Sequence, residues 1–441
     1  MSNSRAGSNT GLFFFRRVPW PQGSASAYDI FSRDPERFTA ILESPDGSGR
    51  QFLVSAEGET IAGDSTQILQ QWRQSLEPIT DAAANGAIRC LFYAAYEAGT
   101  LIENLPAPKT VLPGPKLWLF YPAWSCCFDA DAAEVMMAAR SEKQLDQIEA
   151  MLRPVKLESI SSKRNSELKK EIDESDAGAY QQAVLRVKQY IEAGDIFQAN
   201  IARFWKVPYA VTELAALYAR LRAVNPAPFS CFVRVGELTL VSSSPERLFR
   251  MRNDGVVDSR PIAGTRRRGD ADQDHVLRDE LLLSEKERAE HIMLVDLERN
   301  DLGRVCRPGT VRVDEQMSIE RYATVQHIVS NVSGRLAEGR DVVDIFAAMF
   351  PGGTITGCPK IRCMQIIHEL EGRARGPYTG GVGYVAWDGC ADMNILIRTF
   401  WHWQDQLHWA AGAGIVADSD PEHELHETEH KAEGLLRALY Y

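Results

Sequence analysis

The segment SCFVRVGELTLVSS at residues 230–243 predicts a β-hairpin. Two runs rich in strand-forming residues, Ser230 to Val235 and Leu238 to Ser243, flank the turn pair Gly236-Glu237. A two-residue turn of this kind joins antiparallel neighbours. The hairpin therefore favours antiparallel sheets in this part of the chain.

Outward from the hairpin, the apolar pattern switches repeatedly between the periods of a helix and of a strand. Helix-like segments run over Ser65 to Leu76, Tyr180 to Ala193, Glu285 to Asp296, Asp341 to Phe350 and Pro421 to Tyr441. Strand-like segments run over Leu117 to Trp124, Phe197 to Val207, Tyr384 to Trp387, Asn394 to Phe400 and Leu407 to Ala411. This mixed order, with hairpins, predicts an α+β fold with antiparallel sheets.

One polar, charged stretch, SSKRNSELKKEIDESD at residues 161–176, reads as a solvated linker or a helix start. We predict that it separates an N-terminal region, residues 1–155, from a catalytic core, residues 177–441.

Composition excludes several classes of partner. The 441 residues are 44% hydrophobic and 25% charged, which is ordinary for a globular protein, and the net charge is −11. Nucleic acids and anionic membranes usually require a basic surface, so neither is expected as a partner. No apolar run reaches the roughly 20 residues of a membrane helix. We expect a cytoplasmic chain whose eight cysteines, none in CxxC spacing, are free thiols.

Two Glu-x-x-Glu steps open predicted helices: Glu287 with Glu290, and Glu424 with Glu427. Residues three apart share a helix face, so each step presents two carboxylates to one side. Four carboxylates that face each other repel unless a cation lies between them, and Mg²⁺ prefers such oxygen ligands. The alternative is two solvated helix starts, where glutamate is favoured by the helix dipole alone.

Three glycine-rich segments could bring backbone N–H groups close to an anion: residues 261–265 (PIAGT), 350–360 (FPGGTITGCPK) and 410–415 (AAGAGI). None matches a nucleotide phosphate loop, so a carboxylate is the better candidate. The alternative is that these glycines only form turns.

Several single residues complete the set of candidates. Arg398 lies in a mostly apolar predicted strand, where its guanidinium needs either a substrate carboxylate or an internal salt bridge. Lys431 is a second cation. Glu246, beside a turn, could act as a general acid if its pKa is raised. His327 lies in an apolar context, as a proton donor or as a core histidine.

The sequence holds neither a Gly-x-Ser-x-Gly motif nor the kinase motifs. It also lacks the Gly-x-Cys-x-Gly turn of a glutamine amidotransferase nucleophile. The chain is therefore not expected to release ammonia from glutamine by itself.

Taken together, these segments resemble the chorismate-utilising enzyme family, over nearly all of residues 180–441. The resembling segments are GDIFQ (194–198), NPAPF (225–229), SSPE (243–246), RPIAGT (260–265), KERAEHIMLVDLERNDLGRV (286–305), FPGGTITGCPK (350–360), RGPYTGGVGY (375–384), NILIRT (394–399) and GAGIVADSDPEHELHET (412–428). The resemblance implies two packed antiparallel sheets with helices outside and the active site between them.

The resemblance also implies residue roles. The catalytic set would be Glu246, which protonates the departing 4-hydroxyl of chorismate, with His327 and Thr265. Mg²⁺ would be bound directly by Glu290 and Glu427 and through water by Glu287 and Glu424, and would hold the ring carboxylate. The substrate-binding residues would be Gly264, Thr356, Tyr378, Arg398, Gly412, Gly414 and Lys431.

Within the family, the chain resembles the 4-aminobenzoate branch. This implies amination of chorismate to 4-amino-4-deoxychorismate, with ammonia from a separate glutamine amidotransferase subunit in a heterodimer. Anthranilate formation is the alternative, because Ala263 stands where the 4-aminobenzoate branch often has a lysine. Residues 41–44 (ILES) resemble the start of the family's tryptophan pocket.

Overall fold

A computed structural model describes residues 3–8, 11–21, 24–76, 86–153, 171–267, 285–321 and 325–440. The described chain forms two large antiparallel β-sheets with helices on their outer faces. The predicted α+β fold with two packed antiparallel sheets is confirmed.

The first sheet, sheet A, has 13 described strands. In spatial order they are β1 (Asn3–Ser8), β2 (Gly11–Pro19), β9 (Glu134–Ala139), β8 (Trp124–Asp129), β4 (Arg50–Ser55), β3 (Phe38–Glu43), β12 (Phe229–Val235), β13 (Leu238–Ser244), β22 (Thr399–Trp403), β23 (Gln406–Ile415), β11 (Gln198–Pro208) and β10 (Asp173–Glu174), with β19 (Gly357–Cys358) also beside β11.

The second sheet, sheet B, has ten described strands. In spatial order they are β16 (Ile262–Arg267), β18 (Val325–Arg335), β15 (Val256–Ser259), β14 (Arg247–Met251), β21 (Ala391–Asn394), β20 (Gly381–Ala386), β6 (Ile88–Ala94), β7 (Leu117–Pro122) and β5 (Gly58–Gly63), with β17 (Arg312–Arg321) also beside β18.

The α-helices agree with the sequence pattern where one was predicted. In chain order they are α1 (Ala27–Arg33), α2 (Gln67–Ser75), α3 (Glu142–Met151), α4 (Ala177–Glu192), α5 (Leu214–Val224), α6 (Glu285–Gly303), α7 (Val342–Met349), α8 (Lys360–Glu371) and α9 (Pro421–Tyr440). The side chain of Asp341 caps the start of α7 by accepting from the N–H groups of Val343 and Asp344.

The two sheets pack face to face through their apolar sides. The rings of Phe52 in β4 and Tyr384 in β20 lie 4.5 Å apart across this interface. One buried cluster takes side chains from both sheets, including Leu91 and Leu240. Further buried clusters lie under the helices on the outer face of each sheet.

Both sheets contain strands from the predicted N-terminal region and from the predicted core. In sheet A, β3 pairs with β12, and in sheet B, β6 pairs with β20. The division of the chain at residues 161–176 stays a prediction.

The hairpin at residues 230–243 is confirmed as β12 and β13, paired from Phe229–Ser244 to Val235–Leu238. All eight cysteines are free, as predicted. Among the residues that the structure describes, no helix is long and apolar enough to cross a membrane.

Candidate active site

The centre of the candidate site is the glycine-rich end of β23. This strand pairs with β11 as far as Ala199–Ile415, whereas its pairing with β22 ends at Phe400–Trp409 within the described strands. Residues 410–415 therefore have β11 on one edge and no β22 partner on the other. Unpaired backbone groups on such an edge need other partners, which a ligand can supply.

Gln198 connects this glycine-rich end to Glu290. The Gln198 side chain lies over Gly414, where an added Cβ would come within 2.2 Å of its Nε2. The same Nε2 donates a hydrogen bond to Glu290 Oε1 at 3.1 Å. Because the amide NH₂ group faces the carboxylate, Gln198 Oε1 points elsewhere, and it is buried without a hydrogen-bond partner among the described residues.

Lys431 makes the equivalent connection to Glu427. Its ammonium lies 2.7 Å from Glu427 Oε1 and donates to the Gly412 carbonyl at 2.9 Å. Gly412 and Gly414 are two residues apart in β23, about 7 Å along the strand. Side chains of two helices, α6 and α9, are thus linked to neighbouring positions on one strand.

The described carboxylates suit Mg²⁺ by their chemistry. Glu290, Glu424 and Glu427 offer only oxygen ligands, which Mg²⁺ prefers. Glu424 is buried and accepts a hydrogen bond from Ser419 Oγ at 2.6 Å. In the part of the chain with described side chains, no three carboxylate, histidine or cysteine groups lie close enough together to hold a metal. The side chain of Glu287, the fourth predicted ligand, lies outside the described residues.

Arg398 does not lie in a strand, so the prediction of one strand from Asn394 to Phe400 is wrong. Strand β21 ends at Asn394 and β22 begins at Thr399, and Arg398 in the connection has φ of +51°. The connection crosses from sheet B to sheet A beside the glycine-rich end of β23. Within the described residues, the Arg398 guanidinium makes no hydrogen bond and no ion pair, which disfavours the internal salt bridge.

Glu246 is a buried carboxyl group at the turn between β13 and β14. Its Oε1 accepts a hydrogen bond from Thr354 Oγ1 at 2.7 Å. Burial raises the pKa of Glu246 to about 7, although the Thr354 hydroxyl and the charges of Lys431 and Arg398 partly oppose this. Glu246 therefore carries a proton at mildly acidic pH, as a general acid must.

The side chains of Tyr378 and Asn200 lie next to Gly412. A Cβ added to Gly412 would lie 2.7 Å from the Tyr378 hydroxyl and 2.6 Å from Asn200 Oδ1. Asn200 is 7% exposed, and its Oδ1 has no hydrogen-bond partner among the described residues. Only glycine leaves this space open, so Gly412 gives a ligand close access to the backbone.

Buried Arg375 forms hydrogen bonds that hold the backbone around Asn200. Its guanidinium forms two hydrogen bonds with the Glu371 carboxylate, at 2.6 and 2.9 Å. It also donates to the carbonyls of Asn200 and Ile355. Thr356 is fully buried beside it and donates to the Gly352 carbonyl, so its hydroxyl supports the FPGGT turn.

Three predicted catalytic or lining residues, Gly264, Thr265 and His327, lie on described backbone, and the side chains of Thr265 and His327 are outside the described residues. Thr265 and His327 are directly opposite each other where β16 pairs with β18. The register shifts between Ala263 and Thr265, which places a bulge at Gly264. Such bulges often occur beside active sites.

The sequence analysis missed Gln198, Asn200 and Thr354 as individual site residues. Each lies in or beside a segment that carried the family resemblance, GDIFQ at 194–198 or FPGGTITGCPK at 350–360. Their roles depend on contacts with strands and helices far away in the chain, and local spacing does not report such contacts.

A separate cavity of about 540 Å³ lies between the sheets and is lined by Leu42, Glu43 and Ser44. Glu43 is buried and binds Arg222 with both carboxylate oxygens, at 2.9 and 3.1 Å, and accepts from the Tyr218 hydroxyl at 2.7 Å. The segment that resembles a tryptophan pocket thus lines a cavity, and tryptophan binding stays a prediction.

Comparison with known proteins gives several close relatives. The chain is 45% identical over 354 residues to an anthranilate synthase component I-like protein of Synechocystis, covering 79% of this chain and 72% of that protein. It is 52% identical over 262 residues to anthranilate synthase component 1 of Thermus thermophilus, and 48% identical over 261 residues to aminodeoxychorismate synthase component 1 of Bacillus subtilis. Each of these two matches covers 59% of this chain, and they span 56% and 55% of the two relatives.

Solved structures share the fold. Anthranilate synthase component I from Streptococcus pneumoniae superposes with a TM-score of 0.73 at 27% identity, covering 96% of this chain and 92% of that one. The menaquinone-specific isochorismate synthase of Escherichia coli superposes with a TM-score of 0.76 at 21% identity, which shows the fold alone. A family model described as chorismate binding enzyme matches residues 37–437. With nearly the whole chain matched, this protein belongs to the chorismate binding enzyme family.

Proposed function

We propose that this chain aminates chorismate with ammonia to give 4-amino-4-deoxychorismate, in a Mg²⁺-dependent reaction. The observation that carries the proposal is buried Glu246, whose carboxyl group feels the charges of two cations, Arg398 and Lys431, near the glycine-rich end of β23. A proton donor beside groups that hold anions is what removal of a hydroxyl group from a dicarboxylate requires.

The two carboxylates of chorismate need two separate anchors. Arg398 has no partner among the described residues, and its planar guanidinium suits one carboxylate. The Tyr378 hydroxyl lies beside Gly412, which has no side chain to block access to the backbone. This pair is a second source of hydrogen bonds. We assign the enolpyruvyl carboxylate to this group of residues.

We assign the ring carboxylate to the acidic side of the site, which we define as the glutamates of α6 and α9. Glu290 and Glu427 would hold Mg²⁺ directly, with Glu287 and Glu424 acting through water, and the ion would supply positive charge to a carboxylate that these glutamates would otherwise repel. Gln198 fixes the orientation of Glu290, because its amide is held between that carboxylate and Gly414. Two anchors on opposite ends of the substrate fix the ring relative to Glu246.

Glu246 supplies the proton in the chemical step. The carbon–oxygen bond to the 4-hydroxyl breaks, and the departing oxygen takes the Glu246 proton and leaves as water. The lone pair of ammonia forms the new carbon–nitrogen bond, and the proton that the nitrogen sheds restores Glu246. Thr354 donates to Glu246 Oε1, which leaves Oε2 as the oxygen for proton transfer.

The ammonia would come from a separate glutamine amidotransferase subunit, since the sequence lacks a nucleophile of that class. Free ammonium salt should replace this subunit in a test tube. The test is to incubate the purified chain with chorismate, Mg²⁺ and ammonium chloride, and to identify the product by mass. An aminated chorismate that retains its enolpyruvyl group supports the proposal; unchanged chorismate contradicts it.

Anthranilate is the second candidate product. Ala263 favours it, because the usual lysine of the 4-aminobenzoate branch is absent from the PIAGT turn. Two of the relatives described above carry anthranilate synthase names. In the same incubation, fluorescent anthranilate and one equivalent of pyruvate would replace the aminated chorismate.

A further inference from the structure

Two buried amide side chains of β11 have oxygens without a partner. Gln198 and Asn200, two residues apart in this strand, are 3% and 7% exposed. Gln198 Oε1 and Asn200 Oδ1 both lack a hydrogen-bond partner among the described residues. An unpaired buried acceptor costs free energy, and most buried polar groups therefore have a partner in the protein or in a bound molecule. Two such oxygens on neighbouring side chains indicate that a hydrogen-bond donor binds here.

The strand register places both amides over the glycines of β23. Residues two apart in a strand share a face, and Ala202, the next residue on this face of β11, belongs to the buried cluster between the sheets. Gly414 is directly opposite Asn200, and Gly412 is directly opposite Ala202. An added Cβ on Gly414 would lie 2.2 Å from Gln198 Nε2, and one on Gly412 would lie 2.6 Å from Asn200 Oδ1. The glycines thus leave room for both amide groups on the face that points between the sheets.

The two amides are close enough to bind one small molecule. Gly412 and Gly414 lie about 7 Å apart along β23, and each amide lies over one of them. A hydrogen bond joins two heavy atoms about 3 Å apart, so two hydrogen bonds to one atom span about 6 Å. A molecule with a single heavy atom, placed between the amides, can therefore reach both oxygens.

The chemistry of the two oxygens selects a donor. Because Gln198 Nε2 donates to Glu290 Oε1 at 3.1 Å, the other atom of this amide is the acceptor Oε1. A carboxylate offers only acceptors, so neither carboxylate of chorismate can satisfy these oxygens. The 4-hydroxyl has a single hydrogen, and the proposed reaction places its oxygen beside Glu246. Ammonia has three N–H groups and one lone pair, so it can donate to both oxygens and still react.

We propose that Gln198 Oε1 and Asn200 Oδ1 bind the ammonia that attacks chorismate. Two N–H groups of ammonia donate to the two amide oxygens, which leaves the nitrogen lone pair free to attack the ring and limits the directions it can take. The inference rests on the proposed function, since it assigns a binding site to the nucleophile of that reaction. Water is the competing occupant, because it can also donate two hydrogen bonds.

The test measures KM separately for ammonium chloride and for chorismate, at saturating Mg²⁺, in wild type, Asn200→Leu and Asn200→Asp. Asn200 is changed rather than Gln198, because Gln198 also holds Glu290. Leucine has the shape of asparagine without its polar atoms, so the KM for ammonium should rise by roughly tenfold, the effect of losing one hydrogen bond. The KM for chorismate should stay within about twofold of wild type. Asn200→Asp keeps an acceptor oxygen and should return the KM for ammonium toward the wild-type value.

Asn253→Leu is the matched control, because Asn253 is exposed at the turn between β14 and β15. Both of its KM values should equal those of wild type. Three results overturn the inference. An unchanged KM for ammonium in Asn200→Leu means that Asn200 Oδ1 holds water only, and an equal rise of both KM values means that Asn200 is structural. A rise in the KM for chorismate alone in Asn200→Asp means that the Asn200 amide donates to a substrate carboxylate.

Failure of the proposed function has a different signature. Aminated chorismate and anthranilate both serve as the readout, because each contains the nitrogen of ammonia. If wild type forms neither, the proposed function fails, and thermal unfolding of the free protein then tests the site, since a ligand of the folded state raises the melting temperature. At mildly alkaline pH, ammonium chloride should raise the wild-type melting temperature above its value in equally concentrated sodium chloride, and should not do so in Asn200→Leu. Equal wild-type melting temperatures in the two salts overturn the ammonia site.

Discussion

At the scale of single residues, Glu246 differs from every other glutamate proposed for the site. Glu290, Glu424 and Glu427 lie on helices that carry the acidic side, whereas Glu246 lies at a buried turn beside cations. The proposal thus gives one residue type two roles, a proton donor at the turn and metal ligands on the helices. A carboxyl that stays protonated can donate, and a carboxylate that stays ionised can bind a metal.

The variant Glu246→Gln should abolish turnover while chorismate still binds. Glutamine has the same size and can bond to Thr354, but it has no acidic proton to give. In wild type, activity should fall as the pH rises through about 7, because the protonated form of Glu246 disappears there. Product formation across a pH series, together with chorismate affinity by calorimetry, checks both statements. Turnover in the variant above about a hundredth of the wild-type rate would contradict the role of general acid.

The variant Arg398→Lys should raise the KM for chorismate by about tenfold to a hundredfold, the effect of losing a hydrogen bond to a charged group. Lysine keeps the charge but lacks the planar fork that binds a carboxylate with two hydrogen bonds. Arg252→Lys is the matched control, since Arg252 is half exposed and lines the separate cavity between the sheets. Equal values of KM in wild type and Arg398→Lys would remove Arg398 from the substrate site.

At the scale of elements, two predicted strands extend across a point where the chain passes from one sheet to the other. The run from Leu117 to Trp124 contains β7 of sheet B, Leu117–Pro122, and ends at Trp124, the first residue of β8 in sheet A. The run around Arg398 is also divided, between β21 in sheet B and β22 in sheet A. Continuous apolar sequence at both places reflects burial between the sheets, and such a pattern does not reveal where the chain crosses from one sheet to the other.

The helices and the hairpin at residues 230–243 were predictable because their signals are local. Helix α7, for example, follows a capping aspartate and is apolar over most of its length. The turn at Arg398 has no such signal, since a positive φ at arginine is imposed by the two sheets that it joins. For the same reason, the sequence analysis named candidate site residues but not the contacts that hold them.

The glycine-rich end of β23 gives a prediction about the acidic side of the site. In Gly414→Ala, the new Cβ would lie 2.2 Å from Gln198 Nε2 and push this amide away from Glu290. The Mg²⁺ concentration that gives half-maximal rate should rise by about tenfold, the usual effect of losing a group that orients a metal ligand. Because the amide is the end of a flexible side chain, the melting temperature should change little.

Gly303→Ala is the matched control for Gly414→Ala. It adds the same methyl group at the end of α6, where no atom lies within 4 Å of the new Cβ. Its Mg²⁺ dependence and melting temperature should both equal those of wild type. If Gly414→Ala also shows unchanged Mg²⁺ dependence, then Gln198 does not orient a metal ligand.

At the scale of the whole molecule, the order of strands in the sheets could not be deduced from the sequence. Strands β3 and β12 are neighbours although almost 190 residues separate them, and β6 and β20 are even further apart. Pairing at such distances depends on how buried faces match in three dimensions, since the apolar pattern of one strand does not specify its neighbour. The family resemblance predicted two packed sheets, whereas the local patterns predicted only that antiparallel sheets exist.

This interleaving predicts the behaviour of a shortened chain. A fragment of residues 177–441 lacks β3 and β6, so β12 and β20 lose one neighbour each. It also lacks Phe52 and Trp118, which fill the interface between the sheets. Open apolar strand edges favour aggregation over folding. The fragment should therefore show no cooperative unfolding transition by calorimetry and no turnover of chorismate.

The control is to cut the chain while keeping the N-terminal strands. It distinguishes the effect of missing strands from the effect of a broken chain. A protease site placed within residues 161–170, in the predicted linker, allows the folded protein to be cleaved after purification. Because β3–β12 and β6–β20 pairing and the packed interface hold the pieces together, the cleaved protein should elute as one species and keep its turnover. A fragment of residues 177–441 that unfolds cooperatively and converts chorismate would show instead that the catalytic core is an independent domain.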